Sequence, residues 1–156
     1  MVLEKIYAAE GARAIGVSDF LQDHLDTLLT ETTVVPALNQ IELHPTFQQA
    51  ALSAASREHG IAIEGYSPLG QGADLDEATV TELAQKHGAT PAQIVLAWHL
   101  GVGNIVIPKT TRPQRMSETS PQPRSRSAGM SWTPSPRWMQ APGSVPTPAE
   151  ASFTQM

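Results

Sequence analysis

Lys109, Arg112 and Arg115 crowd one short stretch of a chain in which 10 Lys and Arg face 15 Asp and Glu. They follow the apolar run Asn104–Ile107 and surround the expected start of a helix. Arg112 and Arg115 are three apart and share one helix face, and the free N–H groups of a helix start also favour an anion. These residue types suit a phosphate group. They suit a solvated basic patch equally well, and the cluster alone does not choose between the two. Three other places combine an apolar run with polar or aromatic residues just beyond it: Ser18-Asp19, Asn39-Gln40 and Tyr66-Ser67. Taken singly each has a plain structural reading, Ser18-Asp19 as a helix N-cap and the others as satisfied residues at a core edge. Together they mark one end of a set of strands.

The elements that would position them alternate. Short apolar runs predict strands near residues 13–17, 37–42, 61–65 and 104–107. Helical spacing of apolar residues predicts a helix over the run Leu21–Leu29. Further helices are predicted at about 48–59, ending at Gly60, at 77–87, closed by Gly88, and at 91–100, opened by Thr90-Pro91. Another begins over 112–118. Strand and helix in strict alternation predict an α/β protein with a parallel sheet, its strands adjacent in sequence order and its helices on one outer side, in an open doubly wound sheet or a closed barrel. In either, the C-terminal ends of the strands gather on one edge, where loops build a ligand site.

Composition narrows the classes. The net charge of −5 argues against a nucleic-acid binder, which needs a cationic surplus to neutralise phosphates. With no cysteine there is no disulfide, thiolate chemistry or Cys-ligated metal. No His or acidic pair sits at ligand spacing in a supporting context, so no metal site is expected. No run approaches the ~20 apolar residues of a membrane span or the apolar core of a signal peptide, and a soluble, cytoplasmic protein is the expectation. Residues 1–118 carry 7 basic and 14 acidic residues, whereas 119–156 carry 3 and 1 together with 7 Pro and 7 Ser. The second stretch has no periodicity and too little apolar surface to offset its ordering entropy. It reads as a disordered tail, with Trp132 and Trp138 as its potential contacts.

Four segments, RAIGVSDF (13–20), PALNQIELHP (36–45), GYSPLG (65–70) and IPKTTRPQRMSE (107–118), resemble in order and spacing successive motifs of the aldo-keto reductases. The resemblance covers about residues 5–118. It implies the last four strands of a (β/α)8 TIM barrel, hence its C-terminal half, and an NADPH-dependent oxidoreductase that reduces aldehydes or ketones to alcohols. It implies further that Ser18, Asp19 and Gln40 hydrogen-bond the nicotinamide carboxamide and that Tyr66 stacks on the nicotinamide ring. Ser67, Leu69 and Gln71 would fall in the loop along the pyrophosphate. Lys109, Thr110 and Arg115 would hold the adenosine 2′-phosphate, with Glu118 near the adenine. The small-molecule carbonyl is the implied substrate, with neither nucleic acid nor membrane as partner.

The pattern is broken in two ways. Asp19 stands where the family usually has Asn, so a carboxamide donor is replaced by a carboxylate that only accepts. After Glu118 the family pattern stops at Thr119, as a shift of reading frame would produce. The family's catalytic Asp, Tyr, Lys and His belong to its first four strands, and no residue of this sequence matches them. The expected catalytic set is therefore empty, and this chain alone is expected to be inactive, an inactive remnant or a half-barrel binding module that needs a partner for activity. Half a barrel would also leave two exposed sheet edges, and self-association through them is expected.

Overall fold

The computed structural model describes residues 2–113. It is an α/β arrangement in which a four-stranded parallel sheet runs in sequence order, β1 (Val17–Ser18), β2 (Leu38–Glu42), β3 (Ala62–Tyr66) and β4 (Ile105–Val106). The helices are α1 (Val2–Ala8), α2 (Gln22–Glu31), α3 (Ala50–Glu58), α4 (Ala78–His87) and α5 (Pro91–Gly101), with a 3-10 segment over Gly70–Asp76. The tail 119–156 and most of the expected helix over 112–118 lie outside the described residues.

Period-2 alternation divides the sheet into two unlike faces. Asn39 and Ile41 in β2, and Ile63 and Gly65 in β3, are buried under helices, while Leu38, Gln40, Glu42, Ala62, Glu64 and Tyr66 alternate with them on a half-covered, open face. The covered face forms the main core, with Ile41, Leu43, Ile61 and Ile63 packed against Leu25 of α2, Leu52 of α3 and Trp98 of α5. Each such buried aliphatic side chain contributes roughly 1.5–3 kcal/mol. A second cluster joins α4 to α5 through Val80, Ala84, Ile94 and Val95.

The two outer strands are shorter than expected. Over 13–16 the chain keeps contact with the residue before β2 through Ala37 N to Ile15 O at 2.8 Å, but among the described residues no strand lies beyond β1 and the ladder shrinks to Val17–Ser18. At the other edge β4 keeps two of the four expected residues. Its entry is held from α3, where Arg57 donates to Val102 O at 3.0 Å and to the buried Asn104 Oδ1 at 2.7 Å. Helix punctuation follows the expected chemistry. Thr90 caps α5, its hydroxyl accepting from Gln93 N at 3.2 Å while Gln93 returns the bond to Thr90 N at 3.0 Å. Gly88 ends α4 in the left-handed conformation.

Candidate cofactor site

Parallel register brings the C-terminal ends of all four strands to one edge. Ser18 pairs with Gln40, Gln40 with Glu64, and Glu64 with Ile105, so these four side chains form one row across the open face. One step nearer the edge, Glu42 pairs with Tyr66. The row is tied together: Gln40 Nε2 donates to Glu64 Oε1, and Ser18 Oγ donates to Gln40 O at 3.1 Å. Asp19 N donates to the same carbonyl at 2.9 Å. A shallow concavity of about 390 Å³ lies beside this row, lined in part by Gly16, Ser18, Leu38 and Gln40.

Ser18 and Asp19 precede α2 without capping it. Its N-cap is Leu21, whose N–H donates to His24 Nδ1 at 3.2 Å. Asp19 instead sits at φ 56°, the left-handed region that Asp and Asn tolerate better than most residues. This turns its carboxylate toward β3, where Tyr66 Oη donates to Asp19 Oδ1 at 3.2 Å. Burial, then the charge of Asp19 and its hydrogen bond, then the charge of Glu42, push the Tyr66 phenol up to about 12. A phenol held that firmly protonated is a donor at every physiological pH and offers a neutral ring face.

The structure thus brings Ser18, Asp19, Gln40 and Tyr66 into one hydrogen-bonded group. Ser67, Leu69 and Gln71 follow on the loop after β3, Gln71 exposed and the other two half-buried. Lys109 and Thr110 follow β4 at the same edge, Lys109 exposed, and Thr110 Oγ1 accepts from Arg112 N at 3.2 Å. Arg115 and Glu118 lie outside the described residues.

Three positioning features go beyond the sequence reading, which named Asn39 only as half of a strand-end pair with Gln40. Asn39, fully buried on the covered face, holds the loop after β1 from below: its Nδ2 donates to Phe20 O at 2.8 Å and its Oδ1 accepts from Phe20 N at 3.4 Å. Strand alternation was the available signal, since of Asn39 and Gln40 only one could face the site. His99, buried in α5, places Nε2 3.0 Å from Pro68 O, so that nitrogen donates to the loop after β3. Asp74 is buried beside His44 and Thr46, at 2.9 Å from His44 Nδ1 and 2.6 Å from Thr46 Oγ1. Among the described residues no group of three or more His, Cys, Asp or Glu could hold a metal ion, and no helix is long and apolar enough to cross a membrane.

The sequence profile of the Aldo/keto reductase family matches residues 1–120, and the chain belongs to that family. It is 51% identical over 105 residues to an aldo-keto reductase of Mycolicibacterium smegmatis, covering 67% of this chain and 38% of that protein. It is 49% identical over 108 residues to the methylglyoxal reductase DkgA of Salmonella typhimurium, covering 68% and 39%. A crystal structure of a mutant of Gox0644 in complex with NADPH is similar at a TM-score of 0.73 and 44% identity, over 75% of this chain and 43% of that one. The chain therefore spans well under half the length of these relatives.

Proposed function

We propose that this chain is the cofactor-holding, C-terminal half of the (β/α)8 barrel of an NADPH-dependent aldo-keto reductase, an oxidoreductase acting on aldehydes or ketones. The observation that carries the reading is the convergence of Ser18, Asp19, Gln40 and Tyr66 on one strand-end edge. These are the positions that the family resemblance gives to the nicotinamide, and an NADPH complex is known for a structure 44% identical.

The residues present fit that group. With its NH₂ held by Glu64, Gln40 would have its amide oxygen left to accept from a carboxamide N–H, and the Asp19 carboxylate would accept a second. The Ser18 hydroxyl supplies a polar partner beside them. The half-buried Tyr66 ring is the stacking surface, and its bond to Asp19 fixes the ring orientation. By the family resemblance, Lys109, Thr110 and Arg115 would hold the adenosine 2′-phosphate, and Glu118 would be the residue near the adenine. NADPH, when bound, supplies the hydride. No residue of this sequence is assigned as the acid that protonates the developing alkoxide, so reduction needs residues supplied from elsewhere.

Among the described residues β1 and β4 have a neighbouring strand on one side each, which favours a second reading, a half-barrel binding module that becomes active with a separately supplied partner. NADPH and NADH titrations of the purified chain test the first reading, with NADPH expected to bind more tightly and Lys109→Ala to remove most of that preference. One charge-assisted phosphate contact is worth about 1.5–3 kcal/mol, or roughly ten- to a hundredfold in affinity. Equal affinity for the two nucleotides in the unaltered chain would refute the 2′-phosphate assignment. Robust NADPH-dependent aldehyde reduction by the chain alone would refute the inactive state.

A further inference from the structure

The loop that carries Ser67, Leu69 and Gln71 is an unusual piece of backbone. Ser67 at φ 46° and Gln71 at φ 54° adopt left-handed conformations without being glycine, and Gly70 and Gly72 beside them do the same at 55° and 104°. Conformations of this kind persist only where the surroundings over-determine them. Two contacts do so. From below, His99 Nε2 donates to Pro68 O at 3.0 Å. From the side, the buried Asp74 reaches the turn that follows β2, accepting from Thr46 Oγ1 at 2.6 Å and lying 2.9 Å from His44 Nδ1.

That turn is itself fixed, His44 and Phe47 exchanging backbone bonds of 3.2 and 2.8 Å. The fit around Asp74 is close. A Cβ at Gly70 would lie 2.9 Å from Asp74 Cγ and 3.1 Å from His44 Nδ1, so only glycine fits there without displacement. A carboxylate excluded from water is stable only when paired, which makes Asp74 dependent on the turn after β2 and the loop dependent on Asp74.

We propose that Asp74 is a positioning residue that, through Thr46 and His44, clasps the loop after β3 to the turn after β2 and presets Ser67, Leu69 and Gln71 for the pyrophosphate before any nucleotide arrives. What the loop holds rests on the NADPH reading above; the clasp itself does not. Its chemistry is a hydroxyl-to-carboxylate bond, which separates it from mere packing at Thr46: Val keeps the shape and loses the hydroxyl, whereas Ser keeps the hydroxyl and loses a methyl.

The test compares the full chain with Thr46→Val, Thr46→Ser and Asp74→Asn by amide hydrogen exchange over residues 67–76 and by NADPH and NADH titration. Thr46 is exposed, so its variants perturb folding little even if Asp74→Asn fails to fold. Expected is exchange in the loop about tenfold faster in Thr46→Val and unchanged in Thr46→Ser, the loss of one charged hydrogen bond. NADPH and NADH should both bind about tenfold more weakly to Thr46→Val, with their ratio unchanged because Lys109 is untouched. Unaltered exchange in Thr46→Val, or equal acceleration in the Val and Ser variants, overturns the clasp. If the unaltered chain binds neither nucleotide, the NADPH reading falls while the exchange result still decides the clasp.

Discussion

Tyr66, at the end of β3, donates its phenolic hydrogen to Asp19 at the end of β1, spanning the width of β2 over a 3.2 Å bond. Burial and the Asp19 charge are the two leading causes that hold this phenol at about 12. Asn tolerates the left-handed backbone of Asp19 at least as well, so Asp19→Asn removes the charge without straining the turn. In a Tyr7→Phe background, which leaves one of the two tyrosines to titrate, Asp19→Asn should lower the Tyr66 value, read as tyrosinate absorbance against pH. An unchanged titration would show that the Asp19 charge does not set it.

His99 predicts a pH dependence of stability. Its burial disfavours the charged imidazolium and pulls its value below 6.5, although the Pro68 carbonyl pulls the other way. The unfolded chain therefore binds a proton more readily than the folded one, and this contribution is complete above about pH 6.5 and lost as pH falls toward the lowered folded value. Urea midpoints should drop between pH 7 and 5. That slope should flatten in His99→Gln, and a parallel slope in both proteins would remove His99 as its source.

The α5 cap gives a prediction about stability alone. Thr90→Ala deletes the hydroxyl that accepts from Gln93 N, and loss of such a cap costs about 0.5–2 kcal/mol. Thermal or denaturant unfolding should register that loss with no change in nucleotide preference, since α5 reaches the candidate site only through His99 near its other end, which the Thr90 cap does not touch.

Ile105, in β4, and Ile107, just beyond it, are 44% and 45% exposed, large apolar side chains on what is an outer strand of the sheet among the described residues. Such an edge invites pairing with another chain, and a lysine placed on it blocks that route. Sedimentation should find the chain self-associated, and Ile105→Lys with Ile107→Lys should shift it toward the monomer. A monodisperse monomer before any substitution contradicts the expectation.

Much of this was legible because local chemistry wrote it. Thr90-Pro91 and Gly88 mark helix ends through one bond or one backbone angle, and β2 lies within one residue of where its apolar run puts it. The four strand-end motifs could be read as one site because a parallel sheet leaves them only one edge to share. The outer strands were overestimated, since an apolar run does not reveal whether a neighbour is there to extend the ladder at Arg13–Gly16. The clasp was invisible for a different reason. His44 and Asp74 lie 30 positions apart, with no periodicity linking them, and only the folded loop brings the two within 2.9 Å.

The division of the sheet into two faces bears on how this chain can change over generations. Ser18, Gln40 and Tyr66 occupy alternate positions whose neighbours Val17, Asn39, Ile41 and Gly65 belong to the helix-covered side. Substituting a residue of the first set alters what the edge can recognise and removes little of the packing that keeps the sheet folded, whereas a one-residue insertion in β2 would exchange the two sets and destroy both. The chemistry of the open face and the packing of the core thus rest on interleaved but separable positions. Asp19 lies past the end of β1 and outside the core, so a substitution there changes the chemistry of the edge without removing core packing.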